Sequence, residues 1–108
     1  MTTTNEDQPS ALDPLPSVEP PHELRRLFDD EGRLTLWPSK LKKRLLALEW
    51  LAAHFEFDRE YSEPEVNELL NRLHTFEDWA ILRRELFDRR YFDREPDGTR
   101  YRRRRPQE

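Results

Sequence analysis

The 108-residue sequence contains no cysteine and only two glycines. Without cysteine there is no disulfide framework, no thiolate nucleophile and no cysteine-ligated metal. A stapled secreted mini-protein is thereby excluded, and a reducing cytoplasm fits. Gly32 and Gly98 stand alone, so no glycine-rich loop is present to cradle phosphates. His22, His54 and His74 share no ligand spacing, and neither an HExxH helix nor an acidic calcium loop occurs. No metal site and no cofactor is expected, and His54 and His74 read as surface or hinge residues. Carboxylate neighbours such as Asp29 and Asp30 fall on a solvated helix end, not across a cleft, so the chain is not expected to be an enzyme. No apolar run is long enough to cross a bilayer, and the first residues lack the apolar core of a secretory signal. The expectation is a cytoplasmic protein without a membrane partner.

What is present is charge and aromatic bulk. Charged residues make up 39% and hydrophobic ones 34%, which at this length means one small domain with a modest core. Three tryptophans among 11% aromatics argue against wholesale disorder, because such side chains bury large areas. Residues 1–23 carry Glu6, Asp7, Asp13, Glu19 and Glu23 and no lysine or arginine, whereas the chain ends in Arg102, Arg103, Arg104 and Arg105. An acidic, proline-rich, disordered arm is expected over residues 1–20, a folded domain over 21–103 and a basic disordered tail over 104–108.

The organising stretch is WPSKLKKRLLALEWLAAHF, residues 37–55. Ser39 is the expected N-cap, with a helix over 39–55. Leu41, Leu45, Leu48, Ala52 and Phe55 form one apolar stripe, and Leu46, Trp50 and Ala53 a second on the opposite side, so this helix must be covered twice. Pro20-Pro21 and Gly32 bracket a short helix near 21–31 whose Leu24, Leu27 and Phe28 supply one cover. Arg33 to Trp37 reads as an extended connector ended by Pro38.

Further on, Ser62-Glu63-Pro64-Glu65 is a capping box, opening a helix over 63–73 with Val66, Leu69, Leu70 and Leu73 on one face. A break at His74–Phe76 leads to a third helix over 77–90, with Trp79, Leu82 and Leu86 toward the core. Two extended runs then flank Pro96-Asp97-Gly98, a hairpin signature. The expected fold is mainly α with a small β-hairpin: a winged helix-turn-helix with an extra N-terminal helix, in which Tyr61 lies in the first small strand. Its core would hold Leu45, Leu48, Phe55, Val66, Leu69, Leu70, Leu82 and Leu86.

From Leu24 to Arg103 the sequence resembles DUF2087, a bacterial domain family of unknown function. The resemblance is carried by Asp30-Glu31-Gly32-Arg33-Leu34-Thr35 with the Trp-Pro after it, by Arg59-Glu60-Tyr61-Ser62-Glu63-Pro64-Glu65-Val66-Asn67, and by Leu82-Arg83-Arg84-Glu85-Leu86. It implies a winged-helix domain of the kind found alone or appended to ArsR-type transcriptional regulators, and it carries over no catalytic residue. Many relatives have Gly where this chain has Arg90.

Two surfaces are candidates for function. Lys40, Lys42 and Lys43 at the head of the central helix, Arg84 on the third helix, and Arg94, Arg100, Tyr101, Arg102, Arg103 and Arg104 in the hairpin and tail could contact double-stranded DNA. Tyr101 would either stack on a base or pack beneath the hairpin. The third helix, however, turns outward Glu77, Asp78, Ile81, Glu85 and Asp88, a surface that repels phosphate and suits contact with another protein. Arg83 points inward, with Glu49 or Glu65 as candidate partners.

Overall fold

The computed structural model describes residues 18–105. The proposed arm up to residue 17 and the last three residues of the tail lie outside these described residues. Val18 already packs against the core.

The N-terminal segment differs from expectation: His22–Leu27 is a 3-10 helix, and no α-helix extends to residue 31. The reason is Asp29, whose side chain accepts the backbone N–H groups of Glu31 at 3.0 Å and Arg33 at 2.8 Å. These bonds, the Arg33 backbone bond foremost, hold its carboxyl below the usual carboxylate range. The chain therefore turns at Gly32, whose φ of 80° suits glycine, and returns so that Leu34 pairs antiparallel with Phe28. Leu34 is fully buried; its N–H donates to the Leu73 carbonyl at 2.8 Å and its carbonyl accepts from Thr75 N–H at 2.9 Å. The connector is extended, as expected, and it ties the N-terminal segment to the helix-turn-helix. Phe28 meets the indole of Trp50 edge-on, centroids 4.7 Å apart, covering that side of the central helix.

The central helix α1 spans Leu41–Ala52, with Lys40 and not Ser39 as its N-cap and no side-chain cap bond. Its buried residues are Ala47, Leu48, Trp50, Leu51 and Ala52; Leu45 is half-buried and Leu41 is 52% exposed. The apolar stripe thus overruns the core at the helix start, where the first turn projects beyond its neighbours. His54 is buried, a correction to its surface reading: its Nδ1 lies 2.8 Å from the Trp50 carbonyl and its ring is edge-on to that indole.

Strand β1, Glu60–Ser62, leads directly into helix α2, Glu63–Leu73. Both halves of the capping box form: Glu65 N–H donates to Ser62 Oγ at 3.2 Å and Ser62 N–H to Glu65 Oε1 at 2.8 Å. Helix α3 is Trp79–Asp88, capped by Asp78. It starts two residues later than the pattern suggested, because His74 fixes the turn. Asp78 N–H donates to His74 Nε2 at 2.9 Å, so the ring proton sits on Nδ1, which donates to the Leu70 carbonyl at 2.6 Å. His74 is 2% exposed and joins the end of α2 to the cap of α3; it is a structural residue, not a surface one. The shifted start leaves Trp79 in the first turn, 38% exposed instead of inward-facing, while Leu82 and Leu86 are buried as expected.

Helix α3 ends in a Schellman motif: Tyr91 N–H donates to the Leu86 carbonyl and Arg90 N–H to that of Phe87. Arg90 occupies the left-handed position of that motif with φ of 68°. The arginine adopts the glycine-like conformation, and the chain enters the hairpin at Phe92, two residues on. Strands β2, Phe92–Arg94, and β3, Arg100–Arg103, form the wing around a left-handed Gly98. Asp97 organises its turn by accepting both Thr99 Oγ1 and Thr99 N–H, which holds its carboxyl low. The antiparallel sheet has the order β1-β3-β2, with Tyr61 opposite Tyr101. Mainly α, with three short strands and the wing behind a helix-turn-helix, the chain has the winged-helix layout.

Leu86→Ala, at a site 1% exposed, is expected to cost about 2–5 kcal/mol, read by denaturant or thermal unfolding. Unchanged unfolding would mean that α3 presents another face to the core. For His54, burial lowers the imidazole pKa below its ordinary 6.5, against the raising effect of the Trp50 and Leu51 carbonyls. The unfolded chain therefore takes up a proton before the folded one, so the contribution of His54 is intact above about pH 6.5 and is lost as pH falls below it. His54→Gln is expected to flatten the pH dependence of stability below about pH 6.5; identical slopes in the two proteins would count against this.

Candidate nucleic-acid interface

Along β3 the side chains alternate, Arg100 and Arg102 outward and Tyr101 inward. Tyr101 is 3% exposed within the core cluster, so packing beneath the hairpin prevails and its ring is not presented to a base. The remaining basic candidates of the wing and tail are largely engaged within the fold. Arg100 meets Glu60 at 3.3 Å across the sheet, and Arg104 meets Asp93 at 2.8 Å. Arg94 lies 4.2 Å from the centre of the Phe87 ring. Arg103 donates to the Phe55 carbonyl at 3.0 Å and rests on Phe57 at 3.9 Å. Arg104 also donates its backbone N–H to Tyr91 at 2.9 Å, and Arg105 pairs with Asp58. The first two residues of the expected disordered tail are thus fastened to the domain.

Arg102 is exposed and has no ion-pair partner among the described residues, although Glu60 and Asp93 are its register neighbours on either side. Lys40, Lys42 and Lys43 are likewise exposed and unpaired, in a first turn that contains no acidic residue. Arg44 beside them turns back to the Pro38 carbonyl at 2.6 Å. The lysines and the wing are not one contiguous patch: α1, about 18 Å long at 1.5 Å per residue, separates the lysines from the Phe55 carbonyl that holds Arg103.

On α3, Glu77, Asp78, Ile81, Arg84 and Asp88 are exposed, and Glu85 is partly buried. Asp78 is committed as the N-cap, Arg84 faces Asp88 at 3.7 Å, and Arg89 pairs with Glu85 at 2.8 Å. The acidic face is therefore more neutralised than its sequence suggests. Arg83 binds Asn67 and lies 3.4 Å from Glu63, not against Glu49 or Glu65, so it braces α3 on the first two turns of α2.

Neither Arg89 nor Arg90 is among the contact residues that the sequence suggests. With Arg103, Arg104 and Arg105 they line a groove of about 620 Å³ at the end of α3. The signal was the pair of arginines directly before Tyr91, which reads only as a helix end until the tail folds back beside it. Among the described residues, no group of three or more His, Cys, Asp or Glu side chains is placed to hold a metal ion. Nor is any helix among them long and apolar enough to cross a membrane.

The order helix, strand, helix, turn, helix, wing makes this a winged helix-turn-helix domain. A family model described as "Uncharacterized protein conserved in bacteria (DUF2087)" matches residues 33–103. The chain belongs to the DUF2087 family. Searches of curated proteins and of solved structures found no match.

The exposed ion pairs of the wing are expected to add little to stability. Glu60→Ala and Arg100→Ala should each shift it by no more than about 1 kcal/mol, as measured by chemical unfolding. A larger loss would mean that Arg100 is a fixture of the sheet and not available to a ligand.

Proposed function

We propose that this domain is a non-enzymatic, transcription-regulator-like factor that associates with double-stranded DNA through phosphate contacts. Lys40, Lys42 and Lys43 at the head of α1 make these contacts together with Arg94, Arg100 and Arg102 of the wing. The observation that carries the reading is that Lys40, Lys42, Lys43 and Arg102 are exposed and without an ion-pair partner among the described residues, in a fold that ties many of its arginines into ion pairs. Lysines at a helix N-terminus oppose the macrodipole, and no carboxylate of that turn offsets them, so an external anion is the partner that would. Arg100 and Arg94 hold only surface partners, which phosphate oxygens can replace at small cost. Arg84 is the one basic residue on the exposed face of α3, and it faces Asp88. Contacts to the backbone without base reading follow, with α3 held off the major groove.

One observation favours a second reading, a protein-interaction module. Trp79 and Ile81 are both exposed, at 38% and 36%, at the start of α3, just after the exposed Glu77 and Asp78. The two readings part in a salt titration on random duplex DNA. Phosphate contact requires affinity to fall as salt rises, with a log–log slope of about −0.9 per phosphate engaged. Replacing Lys40, Lys42, Lys43 and Arg102 by Ala is expected to weaken binding to all sequences and flatten the slope. Absence of salt-dependent binding at low ionic strength would refute the DNA reading and leave the α3 surface, where Ile81→Asp should then abolish a partner contact.

A further inference from the structure

We infer that the groove between the ends of α1 and α3 and the strand leaving the wing binds a small phosphate-bearing anion, a phosphate monoester or a pyrophosphate. This stands whether or not the domain also holds DNA. Five arginines line the groove, and three have carboxylate partners: Arg89 with Glu85, Arg104 with Asp93 and Arg105 with Asp58. The other two, Arg90 and Arg103, do not, and each is kept there at a cost to the fold.

Arg103 is half-buried; its side chain donates to the Phe55 carbonyl, and its guanidinium lies over Phe57. No carboxylate of the described residues pairs with it, and burial pushes its pKa down, the mark of a cation removed from water without a counter-charge. Arg90 sits at the left-handed position of a Schellman motif, which ordinarily falls to glycine, with φ of 68° and no side-chain partner among the described residues. A strained backbone position held by a residue other than glycine points to a use for its side chain. Two arginines without a carboxylate partner among the described residues line one groove, and two negative charges would match them. Planar guanidinium forks match phosphate oxygens, so a phosphate dianion answers both.

The size of the groove selects a small molecule. About 620 Å³ lies within the ordinary range of small-ligand sites. Arg103 and Arg104 are recessed, Arg104 with only 20% of its side chain exposed, while Arg89, Arg90 and Arg105 are exposed at the same groove. Glu49 is the one carboxylate in the lining, and its side of the groove accepts a donor group of the ligand rather than its phosphate.

The test is calorimetric titration of the full chain with inorganic pyrophosphate at low, constant ionic strength. Saturable binding at one site per chain is expected. Arg90→Gly should weaken it by about tenfold or more, as for loss of a charge-assisted hydrogen bond, while leaving the thermal midpoint unchanged or raised because the backbone strain is relieved. Arg103→Gln should weaken it as well; if that variant does not fold, Arg90→Gly decides alone. Added pyrophosphate should leave the affinity for random duplex DNA unchanged. The proposal fails if no saturable binding is found, or if Arg90→Gly binds as tightly as the parent. It also fails if pyrophosphate displaces the duplex, which would assign these arginines to a nucleic-acid backbone.

Discussion

Phe55 is where the helices and the sheet are fastened together. It follows α1 and is fully buried; its ring meets Tyr61 of β1 edge-on at 5.0 Å and Phe92 of β2 at 4.8 Å. Its carbonyl accepts a hydrogen bond from Arg103 of β3. One residue therefore touches all three strands, two through aromatic edges and one through a charge-assisted bond. Strands of three and four residues cannot stand alone, and a small sheet needs a hydrophobic face packed against a helix to be stable. The end of α1 supplies that face, and the position of the wing follows from it.

The same fastening explains why counting arginines overstates the available positive surface. Arg103 holds the sheet to α1, Arg83 braces α3 on α2, and Arg104 closes the base of the wing on Asp93. A guanidinium carries five donors and a stackable plane, so in a small polar domain it serves as core edge and surface at once. Among the cations that these internal commitments leave without a carboxylate are the lysines heading α1, Arg102 and Arg90; Arg103 also lacks one, although the Phe55 carbonyl holds it.

Elements whose signals are local were legible in the sequence. The capping box at Ser62, the Pro-Asp-Gly turn of the wing, the apolar face of α2, and Leu82 and Leu86 on α3 each depend on residues within a few positions of one another. Even the extended connector announced itself through Pro38. The misreadings share a different character. His54 and His74 looked like isolated polar residues, yet each is buried because its ring finds a carbonyl one helical turn back. The DDEG segment looked like a helix end, but the Asp29 side chain competes for the backbone N–H groups of Glu31 and Arg33 and makes a turn instead. Trp79 looked like core because the start of α3 was placed too early, and the His74–Asp78 bond that sets the true start links a side chain to a backbone group across the turn.

The sequence by itself determined the order of the elements and, from the central helix onward, their kind and approximate limits, and through them the winged-helix layout. Hydrophobic period, capping and turn chemistry act over a handful of residues and are written in order along the chain. Only the tertiary structure decided which charges remain free. A partner for Arg103 lies at Phe55, one for Arg100 at Glu60 and one for Arg105 at Asp58, each at least 40 positions away in the chain. Coulomb attraction and hydrogen bonding depend on distance in space, so a run of arginines has no fixed meaning until the fold has placed its carboxylates and carbonyls beside it.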